Sequence, residues 1–266
     1  MCRAFAFHTK AESNMQRRMI LGITLAAGLA ASPAFAVTFQ HTGDDGWIEQ
    51  WLSMEVVMNN GGFNASGLID FISDGTDGDI THESVTTAKG LRKLETAEVK
   101  LDDKYSDFGM GDDGVWDWEV VAIDTNDGDN MATSWGLAAG SDDIEWHGII
   151  VLESSKARSA TMHPAHDDWA QIWINGEQVY DNSAWTGGVR TVTRPTDVDL
   201  ESGDNILLFK CGESGGSAYV NLHFEDTESD IDIVPTEDGE FWRYAGGLAV
   251  EAQDKAATTW GGLKAR

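Results

Sequence analysis

Residues 166–182, HDDWAQIWINGEQVYDN, constrain the fold of this chain more than any other stretch. Ala170, Ile172 and Ile174 alternate with Trp169, Gln171 and Trp173, the period of a strand with one face buried. Asn175-Gly176 follows. Both residues accept positive φ, so the pair favours the tight turn whose twist matches an antiparallel hairpin. A two-residue turn would set Ile174 opposite Glu177, Trp173 opposite Gln178, Ile172 opposite Val179 and Gln171 opposite Tyr180. Opposed residues share a face. One face then holds Ala170, Ile172, Ile174 and Val179, a core set. The other holds Gln171, Trp173, Gln178 and Tyr180, a mixture of rings and amides.

Similar signals fill the region from 140 to 226. WHGIIVLES reads as a strand. DVDLESGDNILLFKCG holds a turn and then a strand with little alternation. SAYVNLHFE alternates, with Val220, Leu222 and Phe224 inward and Tyr219, Asn221 and His223 outward. Short strands separated by Gly, Asp and Ser turns predict an all-β protein, an antiparallel jelly-roll β-sandwich with little helix. Upstream, WIEQWLSMEVVM, GLIDFI and VWDWEVVAI read as strands, and THESVTTAKGLRKLETAEVKL as a short helix or a strand after a loop. The sandwich is expected over 37–226, with residues 227–266 as a tail that adds an edge strand or stays loosely attached.

Residues 15–36, MQRRMILGITLAAGLAASPAFA, have the form of a signal peptide. Arg17 and Arg18 precede an apolar run from Met19 to Leu29, which is too short for a bilayer span, and Ala34-Phe35-Ala36 forms a small-x-small cleavage site. Residues 1–36 therefore read as an upstream leader and signal peptide, and the remainder as a secreted protein, periplasmic or extracellular, with no membrane insertion. The formal charge of the whole chain is −27. The leader is net basic, so the remainder is more acidic still, a surface that repels nucleic acid and anionic lipid. Cys2 leaves with the leader and Cys211 stands alone, so no internal disulfide is expected. Cys211, in ILLFKC, is expected to be a small buried hydrophobe.

Three stretches carry types of residue that do chemistry. GESGG at 212–216 matches the serine nucleophile-elbow pattern around Ser214, but the strand-like SAYVNLHF follows where that motif needs a helix. HPAHDD at 163–168 offers imidazoles and carboxylates. Calcium, which takes six to eight oxygens, suits the carboxylates better than zinc does, and a plain acidic turn is the competing reading. DTNDGDN at 124–130 has the composition of a calcium loop with its glycine one position early. Eleven tryptophans supply rings for stacking on sugars, with amides nearby for the hydroxyls. Near the hairpin the candidates for ligand contact are Trp173, Tyr180, Trp185, Gln171 and Gln178.

The series DDWAQIWINGEQVYDN, DVDLESGDNILLFK and GSAYVNLHF resembles the galactose-binding-like jelly-roll modules of secreted bacterial proteins, in which Leu200, Gly203 and Asn205 match the turn before a strand. It also resembles the protective-antigen-type sandwich. The sugar-binding members of that group use an aspartate pair for calcium, and the resemblance implies this role for Asp167 and Asp168. A secreted, non-catalytic, carbohydrate-binding-like module follows as the leading expectation, with a glycan or cell-surface polysaccharide as partner. A structural or adhesive surface module is the alternative, and a glycan-active hydrolase the second. The sequence leaves the oligomeric state open. Exported protein should begin at Val37, as N-terminal sequencing or intact mass would report. A membrane-bound product that retains the leader would contradict it.

Overall fold

The computed structural model describes residues 46–59, 67–106, 109–225, 231–235 and 241–248. The leader, residues 1–36, lies outside them. Twelve strands are described: β1 Gln50–Met58, β2 Val99–Lys100, β3 Val115–Trp116, β4 Trp118–Ala122, β5 Ile144–Ser154, β6 Arg158–His166, β7 Trp169–Ile174, β8 Glu177–Asn182, β9 Thr196–Leu200, β10 Gly203–Gly212, β11 Val220–Phe224 and β12 Ile231–Val234. The larger sheet runs β4-β1-β5-β10-β7-β8, and the smaller one β11-β6-β9. All of these pairings are antiparallel. The fold is an antiparallel β-sandwich.

Between the sheets lies a core drawn from alternate positions. Ile144, Trp146, Ile150 and Leu152 of β5, Leu207 and Phe209 of β10, and Ala170, Ile172 and Ile174 of β7 meet Ala160, Met162, Val220, Leu222 and Phe224 of the small sheet. Trp51 packs edge-on against Trp146, ring centroids 5.5 Å apart. Each such large side chain contributes about 1.5–3 kcal/mol through removal from water. Cys211 also lies in this core, fully buried, as a free thiol.

The opposite face of the large sheet is buried as well. Leu52, Met54, Val57, Ile149, Val151 and Leu208 are all 1 % exposed or less. Three short helices, Phe71–Gly75, His82–Val85 and Ala88–Leu94, lie on this outer side and bring Phe71, Ile72, Val85, Leu91 and Leu94 into contact with the interior. This explains the weak alternation of ILLFKC and WHGIIVLES: strands covered on both faces need apolar residues at both parities. It also corrects GLIDFI, expected as a strand. Residues 67–70 are a turn and its approach, and Asp70 caps the first helix by accepting from the Ser73 amide at 2.8 Å. The stretch from 81 to 101 holds two helices, each N-capped by a threonine, Thr81 and Thr87.

The hairpin forms with a one-residue departure. Ile174 pairs with Glu177 and Trp173 with Gln178, but a bulge sets Ile172 opposite Tyr180 and Gln171 opposite Asp181. The bulge reverses the parity of β8. Tyr180 therefore joins the core face rather than the outer one, while Val179 still packs against the core in part.

From the tail, β12 pairs with β5 at Val151–Ser154, and β1 pairs with the same edge of β5 lower down, at Ile144–Ile149. The two lie end to end.

Asn205 ties the turns together. It is fully buried; its Nδ2 donates to the carbonyls of Leu152, Glu201 and Gly203, and its Oδ1 accepts from the Glu201 amide and from Asn175 Nδ2, at 2.7–3.2 Å. Asn175 Oδ1 in turn accepts from the Ile206 amide. Gly203, at φ +99°, and Gly176, at φ +87°, take backbone conformations that side chains resist. Asn205→Ala strands several buried polar groups at once and should cost about 3 kcal/mol. Urea denaturation checks this, and a change within ±0.5 kcal/mol would contradict the assigned role.

Candidate functional site

The chain passes from the small sheet to the large one at Asp167-Asp168, between β6 and β7. The Asp167 amide donates to the Tyr219 carbonyl at 3.1 Å, beside β11, and the Asp168 amide donates to the Gly212 carbonyl at 3.1 Å, at the end of β10. The peptide joining the two aspartates is cis. His166 supports the corner from within. Its Nδ1 lies 2.8 Å from the Asp168 carbonyl and its Nε2 2.9 Å from the Tyr180 hydroxyl. A carbonyl only accepts, so Nδ1 carries the proton and Nε2 accepts from Tyr180. Burial pushes this imidazole down to about 4, against a lesser opposing effect of the bond to Asp168, so it is neutral at pH 7.

Four carboxylates gather at this end of the sandwich. Asp167 is 8 % exposed. Asp168 Oδ2 accepts from the Ser214 amide at 3.3 Å, and Asp142 Oδ1 from the Gly216 amide at 3.3 Å. Glu213 is fully buried; its Oε2 accepts from the Gly215 amide, while its Oε1 meets no hydrogen-bond donor among the described residues. Burial pushes Glu213 up to about 8, with Asp142 and Asp168 adding like-charge repulsion. Burial likewise pushes Asp167 up to about 7, followed by its hydrogen bond and repulsion with Asp168. Among the described residues, no three His, Cys, Asp or Glu side chains close around a common point as a ready metal cage. A cation held here would add backbone carbonyls or water to the carboxylates, as calcium does.

The loop after β8 runs alongside. Thr186 donates its amide to the His166 carbonyl at 3.0 Å and its Oγ1 accepts from the His166 amide at 3.1 Å. The neighbouring Trp185 is 57 % exposed. Asn182 exchanges hydrogen bonds with the amide and carbonyl of Ala184, which pins the loop on its other side.

The structure brings only some of the sequence candidates together. Trp173 is 4 % exposed and lies under the helices, its ring 4.5 Å from that of His82. Gln171 is buried, with Nε2 directed to the Gly67 carbonyl. Tyr180 is a core residue. None of these three presents a surface to a ligand. Gln178 is exposed, but it sits four residues along β8 from Asn182, about 13 Å at strand spacing, and so lies away from Trp185. Trp185 is exposed and precedes Thr186, whose bonds to the His166 backbone hold this loop next to the segment that carries Asp167 and Asp168. His163 stacks on His223 at the far side of β6, 4.5 Å between centroids, and does not join the aspartates. Asn221 and Tyr219, expected outward, are buried beneath loops; Asn221 Nδ2 donates to the Thr125 and Val189 carbonyls.

DTNDGDN is a self-bonded turn in which Asp124 accepts from the Asn126 amide, and Asp127 from the Asp129 amide and the Thr133 hydroxyl. After GESGG the chain enters β11, and no helix follows Ser214. Glu213 and Asp142 are the acidic residues that sequence reasoning missed. Glu213 lies within GESGG and Asp142 shortly before WHGIIVLES, and the pairing of Gly212 with Glu145, with the Glu213 amide donating to the Ile144 carbonyl, brings the two segments side by side.

No protein-family model matches this chain, and no curated protein does. Solved structures align over part of this chain. An anti-sigma factor domain-containing protein from Clostridium clariflavum aligns at 17 % identity and TM-score 0.29, over 36 % of this chain and 31 % of its own length. A family 35 carbohydrate binding module from an environmental isolate aligns at 17 % identity and TM-score 0.24, over 37 % of this chain and 72 % of its own. A family 35 module described in complex with a glucuronic acid containing disaccharide aligns at 18 % identity and TM-score 0.20, over 38 % and 70 %. The match thus spans about a third of the first of these proteins. Likenesses this partial identify no family and no ligand for this chain.

The raised carboxylates have a consequence for stability. A carboxyl group whose folded-state pKa exceeds its unfolded value favours folding while protonated, and that contribution is lost as pH rises through the folded value. For Asp167 and Glu213 the loss extends to about 7 and about 8. His166 acts in the opposite sense, but only below its unfolded value near 6.5. In the presence of a chelator, Tm should therefore fall between pH 6.5 and 8.5, and Glu213→Gln should flatten that fall. A parent profile that rises across this window, by calorimetry, would contradict the assignment.

Proposed function

We propose that this chain is a secreted, non-catalytic glycan-binding β-sandwich whose ligand surface is the corner formed by Trp185, Asp167 and Asp168. The observation that carries the reading is the placement of Trp185. An indole 57 % exposed, on a loop tied to the His166 backbone, costs free energy in water unless a ligand covers it. A flat ring beside carboxylates has the two elements that sugar recognition uses, an apolar platform for the C–H face and acceptors for hydroxyl groups. Binding through one ring and a few polar groups is weak and shape-based.

Calcium is the proposed counter-charge. Asp167, Asp168 and Glu213 supply oxygens whose ionisation is opposed by burial and mutual repulsion, and a divalent ion would relieve that repulsion while fixing the corner. Such an ion binds the folded state only and raises stability by mass action.

A glycan array of neutral and acidic polysaccharides, followed by calorimetry on the hits, tests the reading. Trp185→Ala should weaken binding about tenfold, about 1.4 kcal/mol, without a change in Tm. Tm should rise with calcium beyond the effect of sodium at matched ionic strength, and Asp168→Asn should remove that increment. Absence of binding across the array would favour the structural or adhesive module. Release of reducing sugar by the parent protein would favour the hydrolase.

A further inference from the structure

A second group of ionisable side chains lies away from this corner, sealed between the large sheet and the helices on its outer face. From the helical side come Asp70, His82 and, further out, Glu83. From the sheet come Glu145 and His147 of β5 and Lys210 of β10. Glu145 and His147 are fully buried, Lys210 is 2 % exposed and His82 4 %. The His82 and His147 rings face each other across the seam with centroids 5.7 Å apart. Phe71 closes over His147, and Trp173 of β7 closes over His82. Lys210 reaches across the seam to donate to the Ile69 carbonyl at 2.5 Å.

We propose that the helical layer, residues 67–94, is an acid-releasable cover over β7, with His82 and His147 as its sensors. Each imidazole stands near the Lys210 ammonium, and each stands near the other, so protonating both would put three positive charges in a space buried from solvent. Two carboxylates face this group and offset part of its charge, Glu145 lying 3.5 Å from His147 Nε2. Glu145 lies 3.2 Å from Lys210, and Asp70 accepts from the Ser73 and His82 amides at 2.8 Å while lying 3.1 Å from His82 Nε2. Burial and Lys210 both hold the imidazoles in the neutral form while the layer is docked. Undocked, they are free to take protons. A group that binds its proton more readily in the open state draws the equilibrium toward that state as pH falls below its open value near 6.5.

The layer is also held by apolar packing, with Phe71, Ile72, Val85 and Leu91 fully buried, and by hydrogen bonds from Gln171 to the Gly67 carbonyl and from Arg92 to the Leu248 carbonyl. The Gly176 amide donates to Thr86 Oγ1 at 2.8 Å, and the indole of Trp169 lies against Gly67 so closely that a Cβ there would not fit. The core between the two sheets contains none of these groups. Release of the layer keeps the core between the two sheets in place; it exposes apolar residues of the outer face, which opposes release, and uncovers Trp169, Gln171 and Trp173, the ring-and-amide face of β7. The same cover explains why this face, which the sequence presents as a ligand surface, is closed at neutral pH.

Hydrogen exchange of the full-length exported protein at pH 7 and pH 5, with labelling times scaled to the intrinsic rate, tests the proposal. The docking constant should fall by up to about tenfold per pH unit for each imidazole below pH 6.5. Protection in residues 71–94 should thus drop at least tenfold at pH 5, while β5 and β10 keep theirs. Equal protection at both pH values, or a parallel loss in the strands, would overturn it. In His82→Gln and His147→Gln the selective loss should shrink. If both retain it and Asp70→Asn removes it, Asp70 is the trigger and the assignment to histidine is wrong. Should neither glutamine variant fold, histidine-selective NMR of the parent decides. Imidazole signals of the docked state that titrate near 6.5 would overturn the proposal, and signals that stay neutral below pH 6 would support it.

Discussion

The pairing of β5 with β10, ten registered residue pairs from Gly203–Ser154 to Gly212–Glu145, is the element on which the molecule depends. Both strands carry apolar residues at both parities, so exposing either face of the sheet they centre to water costs free energy. The small sheet covers one face and the helical layer the other. The consequence is a polar burden: where Glu145, His147 and Lys210 fall on the outer face, they are sealed in with the apolar residues and must satisfy one another. Isolated buried charges would cost several kcal/mol each. Within the cluster Glu145 lies 3.2 Å from Lys210 and 3.5 Å from His147, and Asp70 3.1 Å from His82, so each charge has an opposite partner close by.

Much of this was legible in the sequence because it rests on local chemistry. Asn175-Gly176 declared its turn, Leu200, Gly203 and Asn205 theirs, and the alternation in SAYVNLHFE its inward face. Tyr180 was misplaced because a bulge costs only one residue and has no strong signature; Val179 and Tyr180 look alike to a period-two pattern. The helices at 71–94 were missed or left open because they are four to seven residues long, too short for a 3.6-residue stripe to repeat. Their threonine and aspartate caps were the available signal.

The acidic corner divides the same way. Asp167 and Asp168 are adjacent in sequence and were singled out. Glu213 and Asp142 come from separate turns, and their approach depends on strand register, a property of the pairing and not of either segment. Trp173 and Gln171 looked like a ligand face by residue type. Residue type says that a face is chemically suited to contact; it does not say whether the partner is a sugar or another part of the chain. Here the helical layer is that partner.

The arrangement of β1 and β12 has an architectural consequence. Both run antiparallel to β5 along one edge, with Val234 opposite Val151 and Leu52 opposite Ile149, so the last described strand stops where the first begins. The two form one line of strand along this edge of β5, drawn from distant parts of the sequence. A polypeptide rewired to continue directly from Val234 into β1, and opened instead at a surface turn, would preserve every ladder of the large sheet. The sandwich is, in this sense, topologically closed on itself, and its point of entry is a matter of genetic order more than of physical necessity.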